Sequence, residues 1–338
     1  MPTPRQSTPT ALPGGPARPV IAVLCEHESD RVPGLAGLDA EFRHCDADGL
    51  AQAVKGAQAL LLWDYFSTAL RDVWSHADAL EWVHVAAAGV DTLLFEELRD
   101  SDVVVTNARG VFDRPIAEYV LGAVIAYAKG TQASLDFQRR HEWRYRETRS
   151  ITGAHALVVG TGGIGREIAR LLRAAGLSVR GAGRVAADDD PDFGTVVATA
   201  DLAGAVGWCD HLVLAVPLTE ATRGVVDAEV LGAMKPDAHL VNIARGPIVD
   251  EHALLAALTE RRIGGATLDV FDIEPLPADH PLWDAPGAVI TAHMSGDVVG
   301  FRDTLACQFA DNARRWLAGQ PLLNVVDKKL GYVSAGTA

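Results

Sequence analysis

The feature that most narrows the folds open to this chain is a glycine cluster at a fixed place in an apolar pattern. Ala156-Leu-Val-Val159 runs straight into Gly160-Thr-Gly-Gly-Ile-Gly165, and the helical Arg166-Glu-Ile-Ala-Arg-Leu-Leu172 follows at once. The apolar run reads as a buried strand, the amphipathic run as a helix, and the glycines between them as a tight turn. Another strand signal, Leu177 to Ala182, comes next. A strand, a Gly-x-Gly-x-x-Gly turn, a helix and a second strand form the dinucleotide-binding βαβ fingerprint. In that reading Gly160 permits the turn, Gly162 lets the backbone approach a pyrophosphate, and Gly165 lets helix and strand pack closely. The helix start, with Gly163 and Ile164, offers free N–H groups and a positive dipole end to the phosphates.

The rest of the chain alternates in the same way. Val20 to Cys25, Ala59 to Trp63, Trp82 to Ala86 and Val103 to Thr106 read as strands, with helices over Asp48 to Lys55 and Ala69 to Ala77. After the glycine loop come strand signals at His211 to Ala215, His239 to Asn242, Gly265 to Leu268 and Ala288 to Thr291. Helices fit Gly163 to Ala175, Asp227 to Met234, Glu251 to Arg261 and Phe301 to Leu317. Such alternation predicts an α/β fold with parallel sheets covered on both faces. The 338 residues suffice for two such domains. Pro115 opens one long helical stretch, Ile116 to about Arg140, whose first half is apolar on several faces. It must be covered, either between domains or in a subunit interface.

Thirty Lys and Arg against 44 Asp and Glu give a net charge of −14. A polyanion footprint and docking to an anionic membrane both need the opposite sign, so neither nucleic acid nor membrane is an expected partner. Cys25, Cys45, Cys209 and Cys307 are widely spaced, which fits neither a zinc site nor a disulfide framework, and no other metal pattern is present. Residues 1–18 have no apolar leader core and read as a disordered tail. A soluble cytoplasmic protein is expected.

Two further sets of residues carry chemistry. Strand Leu177 to Ala182 runs into Gly183 and Arg184, where NAD-binding sites usually carry an acid for the ribose 2′-hydroxyl. Gly183 removes that carboxylate and Arg184 offers a planar fork of donors to a 2′-phosphate, so NADP(H) is expected over NAD(H). The acidic run Asp188-Asp-Asp190 nearby works against that preference. Arg245, Glu274 and His293 each follow a predicted strand, the end at which open α/β sheets bind ligands. Together they suit interconversion of a 2-oxo and a 2-hydroxy acid. Arg245 holds the carboxylate and polarises the carbonyl, His293 exchanges the oxygen-bound proton, and Glu274 orients His293 and stabilises its charged form.

Several stretches resemble the D-isomer-specific 2-hydroxy-acid dehydrogenase family, most nearly its glyoxylate/hydroxypyruvate reductases. They are Val241-Asn-Ile-Ala-Arg-Gly, Asp269-Val-Phe-Asp-Ile-Glu-Pro-Leu, Val216-Pro-Leu-Thr-Glu-Ala-Thr-Arg-Gly224, Ala87-Ala-Gly-Val-Asp91 and Ala117-Glu-Tyr119. The resemblance runs from about Val20 to Tyr332 and implies the same trio, Arg245, Glu274 and His293. It further implies Asp269 at the nicotinamide carboxamide, Val216, Pro217, Thr222 and Ala244 along the cofactor cleft, and backbone N–H groups of Ala88, Gly89 and Val90 at the substrate carboxylate. It also implies two Rossmann-like domains with a cleft between them. A flavodoxin-like substrate domain, 19–114 plus 299–338, would surround a dinucleotide-binding domain, 115–298. A homodimer built on the helix after Pro115 is implied as well; Trp143, in a loop before the cofactor domain, could reach across it to the partner's cleft or serve packing alone. The Met-Ser-Gly-Asp run after His293 departs from the family pattern. A phosphoglycerate dehydrogenase-like enzyme and a nucleotide-sensing corepressor-type protein are the other readings.

Overall fold

The computed structural model describes residues 18–27 and 29–334, so nearly all of the expected tail lies outside the described residues. Among the described residues, two sheets account for every strand. The first holds β1 (Val20–Leu24), β2 (Glu41–Cys45), β3 (Ala59–Leu62), β4 (Trp82–Val85) and β5 (Val104–Asn107), all parallel, in the order 2-1-3-4-5. The second holds β6 (His155–Val159), β7 (Ser178–Gly183), β8 (Ala187–Asp190), β9 (Gly194–Ala198), β10 (His211–Leu214), β11 (His239–Asn242), β12 (Gly265–Leu268) and β13 (Ala288–Ile290). Its order is 13-12-11-10-6-7-9-8, parallel except for the β8–β9 pair at one edge. Both are doubly wound orders, with chain reversal beside β1 and β6, where such sheets open a ligand crevice.

Most central strands are buried residue by residue, as β1, β3, β10 and β11 are, which is why they read as continuous apolar runs. The chain's end returns to the first sheet. Helix Phe301–Leu317 lays Phe309 flat on Trp82 of β4, ring centres 5.4 Å apart, and the Val326 N–H donates to the Val105 carbonyl. Aromatic stacking of that kind adds roughly 0.5–1.5 kcal/mol beyond area burial.

Three expectations need correction. The single long helix after Pro115 is two, Asp113–Lys129 and Thr131–Arg139, because Gly130 adopts a left-handed conformation (φ 58°) that ends the first. β2 was not expected, since its Glu-Phe-Arg-His-Cys sequence is mostly polar and lies at a sheet edge. β8 and β9 were not expected either: β8 is Asp-rich and conforms to no strand propensity, whereas β9, Gly-Thr-Val-Val-Ala, carries only a short β-branched signal.

Candidate active site

The glycine loop sits as the sequence predicts, between β6 and helix Gly163–Ala174, with Gly162 at the helix N-cap. Gly160 has φ 118°, and a Cβ there would stand 2.4 Å from the Ala215 carbonyl oxygen at the end of β10. A Cβ on Gly165 would stand 1.9 Å from the Gly160 carbonyl oxygen, so only glycine lets helix and strand approach this closely. A Cβ on Gly162, by contrast, would meet nothing within 4 Å, which leaves the helix start accessible to a phosphate. The loop therefore fits a dinucleotide. Val216 and Pro217 follow β10 beside it, and the Thr222 hydroxyl closes the next turn by donating to the Pro217 carbonyl (2.6 Å) and accepting from Thr219 N–H (2.8 Å). At the end of β7, a Cβ on Gly183 would lie 3.2 Å from Thr161 of the glycine loop. Asp190, from the acidic run beside Arg184, is committed elsewhere: its carboxylate takes both Arg166 Nη1 and Nη2 at 3.0 and 2.9 Å. Those bonds hold its carboxyl down to about 2.

The trio converges from the carboxyl ends of β11, β12 and β13. Asn242, the last residue of β11, accepts from Ala244 N–H with Oδ1 and donates to the Arg245 carbonyl with Nδ2, both at 3.0 Å, which fixes the turn that presents Arg245. A Cβ on Gly246 would lie 1.9 Å from the Phe271 carbonyl carbon, so the Arg245 turn rests directly on the loop that carries Glu274. Arg245 also meets the first sheet. Its Nε and Nη2 lie 3.1 Å from Asp91 Oδ1, and its Nη1 donates to the Ala244 carbonyl at 2.8 Å, leaving other N–H groups of the fork for a ligand. Gly89, in the same turn as Asp91, is the second close approach: a Cβ there would stand 1.9 Å from Arg245 Nη2.

His293 Nδ1 lies 2.6 Å from Glu274 Oε2, while Glu274 Oε1 accepts from Phe271 N–H at 2.8 Å. Burial alone would raise the Glu274 carboxyl, but the His293 bond, the Phe271 N–H and the Arg245 charge outweigh it and hold it below the usual Glu range. His293 itself has φ 50°, a left-handed conformation uncommon outside glycine and costing on the order of 1–3 kcal/mol. The surroundings enforce it. His293 N–H donates to the Asp269 carbonyl (2.8 Å), and the buried Asp269 carboxylate accepts from Thr291 Oγ1 (2.5 Å), Met294 N–H (3.0 Å) and Ser295 N–H (2.9 Å). Thr291 gives its one hydroxyl hydrogen to Asp269, so Tyr119 must donate in the 2.6 Å Tyr119–Thr291 bond. Burial pushes the Tyr119 phenol up to about 12 and keeps it a donor.

The structure thus brings Arg245, Glu274 and His293 together with the Gly89 turn, and lays the glycine loop, Val216 and Gly183 along neighbouring strand ends. Ala88 and Val90 flank Gly89 in that turn. Trp143 is fully exposed, beyond helix Thr131–Arg139. Asp91, Asn242 and Thr291 were not singled out in the sequence, whereas the Trp63-Asp-Tyr-Phe66 loop was expected near the substrate, and the Phe66 ring centre lies 5.3 Å from that of His293. Asp91 lay within a motif, but its pairing with Arg245 left no local signal.

Residues 121–295 match the sequence profile described as D-isomer specific 2-hydroxyacid dehydrogenase, NAD binding domain. The (S)-sulfolactate dehydrogenase of Chromohalobacter salexigens is 35% identical over 249 residues, 73% of this chain and 81% of that protein. The chain belongs to the D-isomer-specific 2-hydroxyacid dehydrogenase family. Two solved members of the fold agree. The NADPH-dependent glyoxylate/hydroxypyruvate reductase of Sinorhizobium meliloti, in complex with NADP and sulfate, superposes with a TM-score of 0.80 at 28% identity, covering 93% of this chain and all of that one. A D-isomer specific 2-hydroxyacid dehydrogenase of Xanthobacter autotrophicus Py2, in complex with NADPH and MES, gives 0.76 at 30% identity over 94% of this chain and all of that one. The family identifies the chain as an NAD(P)-dependent oxidoreductase acting on CH–OH donors with two Rossmann-like domains. Among the described residues, no helix is long and apolar enough to cross a membrane.

Proposed function

We propose that this enzyme reduces a small 2-oxo acid of the glyoxylate or hydroxypyruvate type to its D-2-hydroxy acid, with NADPH preferred over NADH. The observation that carries the proposal is His293, held in a left-handed backbone conformation with Nδ1 on Glu274, beside an arginine presented by Asp91. A histidine with a merely structural place in the core has no need of that geometry.

In this reading the substrate carboxylate lies between the Arg245 fork and the backbone N–H groups of Ala88, Gly89 and Val90. Arg245 polarises the C2 carbonyl, where negative charge develops. Bound NADPH would supply the hydride. His293, through the ring nitrogen not bonded to Glu274, gives the C2 oxygen its proton, and Glu274 stabilises the charged ring beforehand. Oxidation runs the same proton transfer in reverse. Gly160, Gly162, Gly163, Ile164 and Gly165 hold the pyrophosphate, Val216, Pro217, Thr222 and Ala244 line the cleft, and Gly183 with Arg184 receives the 2′-phosphate. Asp269 has both oxygens engaged by Thr291, Met294 and Ser295, which supports its acting as a positioning residue for the His293 loop.

The proposed domain division is 19–114 with 299–338 for substrate and 115–298 for cofactor. The return of helix Phe301–Leu317 to β4 supports it. Closure of the cleft between them would exclude water before transfer. Two copies are proposed to pair through helix Asp113–Lys129 and the segment after it, where Ile125, Leu135, Trp143 and Tyr145 are exposed. Cys25 and Cys209 are buried free thiols and Cys307 is an exposed one, which suits a soluble cytoplasmic setting.

The test is a turnover assay of the purified protein with glyoxylate, hydroxypyruvate, pyruvate and phenylpyruvate, each with NADPH and NADH. Turnover of glyoxylate or hydroxypyruvate with NADPH preferred supports the proposal. Stronger use of phenylpyruvate, or of NADH, overturns the substrate or the cofactor part respectively.

A further inference from the structure

Arg184 leaves the end of β7 with its guanidinium carbon 5.4 Å from the centre of the Tyr332 ring. The two side chains come from different sheets. Arg184 follows Gly183, which touches the glycine loop through Thr161, whereas Tyr332 belongs to the terminal segment bound to β5. That segment is firmly held. Val326 N–H donates to the Val105 carbonyl at 2.8 Å, and Lys328 Nζ donates to the carbonyls of Leu98 (3.0 Å), Val103 (3.1 Å) and Ser101. Asp327 N–H then donates to the Tyr332 carbonyl at 3.1 Å, so the backbone beneath the ring is fixed.

We propose that Tyr332 is a specificity-determining residue: its ring is the platform that holds the Arg184 guanidinium in place for the 2′-phosphate of NADPH. The proposal rests on the reading of Arg184 as the 2′-phosphate ligand. An arginine lying over an aromatic face keeps its N–H edge free for a phosphate, and the stacking restricts a side chain that would otherwise lose rotamer freedom on binding. NADH has no 2′-phosphate, so the contribution is confined to NADP(H). Because platform and arginine sit on separate sheets, the 2′-phosphate would also favour one spacing of those sheets.

The test is direct titration of the full-length protein with NADPH and NADH, for wild type, Y332A, Y332F, R184A and R184A/Y332A, with thermal unfolding as a fold check. Y332A should weaken NADPH binding about three-fold, the scale of an exposed cation–π contact, and leave NADH unchanged. Y332F, which keeps the ring, should behave as wild type. R184A should weaken NADPH binding roughly ten-fold or more, and the double variant should be no weaker than R184A alone. If R184A weakens NADPH but Y332A does not, or if Y332A weakens both cofactors equally, the platform is overturned while the Arg184 reading stands. If R184A leaves the NADPH-to-NADH ratio unchanged, the Arg184 reading falls and the platform with it.

Discussion

Replacing Gly89 by alanine puts a methyl carbon 1.9 Å from Arg245 Nη2 and 2.9 Å from its Cζ. Gly89 does not need a left-handed backbone, so alanine is accommodated there without main-chain strain, and the guanidinium is what must move. Ordinary contact begins at 3.4 Å, so the fork retreats by about 1.5 Å. That retreat pulls Nε and Nη2 off Asp91 and carries the remaining N–H groups away from the substrate carboxylate. A displacement of the order of 1 Å at a reacting group costs ~10²-fold in rate, or ~2.7 kcal/mol of barrier. Gly89→Ala should therefore lower kcat/KM for a 2-oxo acid about 100-fold, with NADPH binding within about two-fold of wild type and the unfolding temperature nearly unchanged. Gly37→Ala is the control, because a Cβ there meets nothing within 4 Å. Steady-state kinetics, cofactor titration and a thermal melt read all three quantities. A folded Gly89→Ala enzyme with wild-type kcat/KM would refute the placing of substrate between Gly89 and Arg245.

Glu274→Gln keeps a polar partner for His293 but removes the carboxylate that takes its Nδ1 at 2.6 Å. It should lower kcat/KM for reduction about ten-fold or more with NADPH binding retained, and an unchanged kcat/KM would exclude the pairing role. Thr291→Val removes the hydroxyl that joins Tyr119 to Asp269. It should cut kcat about ten-fold or more with NADPH affinity retained, and rescue by Thr291→Ser would separate the hydroxyl from packing. Burial holds His84 down to about 3 and His211 down to about 4. The unfolded chain takes up protons from pH ~6.5 downward that the folded chain refuses, so their stabilisation is complete above that pH and is lost below it. Each such histidine removes ~1.4 kcal/mol per pH unit until its folded value is reached. The thermal midpoint should fall steadily between pH 6.5 and 4.5, and His84→Leu should flatten that fall whatever its effect at neutral pH.

Much of this was legible in the sequence for a physical reason. Strands buried on both faces, such as Leu157-Val-Val159 and Leu212-Val-Leu214, read as plain apolar runs, and the residues after them inherit a place at the ligand-binding edge. Gly160 and Gly165 announced themselves because contacts of 2.4 and 1.9 Å admit no side chain. Edge strands β2 and β8 were hidden because solvent relieves them of apolar patterning. The break at Gly130 was hidden because a lone glycine is tolerated in a helix and only its φ reveals the cap. The partners of the trio were hidden for another reason: Asp91 meets Arg245 across 154 residues and Tyr119 meets Thr291 across 172, distances over which no local pattern survives. Sequence motifs pointed to the groups that carry the chemistry, while the groups that aim them came from the packing of strand ends.

The most direct test of the central claim is a comparison of wild type and His293→Ala, following nicotinamide absorbance with NADPH and hydroxypyruvate while cofactor binding is measured separately. The account predicts turnover by the wild type and a loss of kcat of ~10²-fold or more in His293→Ala with NADPH affinity preserved. Equal kcat in the two proteins, or loss of NADPH binding in the variant, would contradict the assignment of His293 as the proton donor.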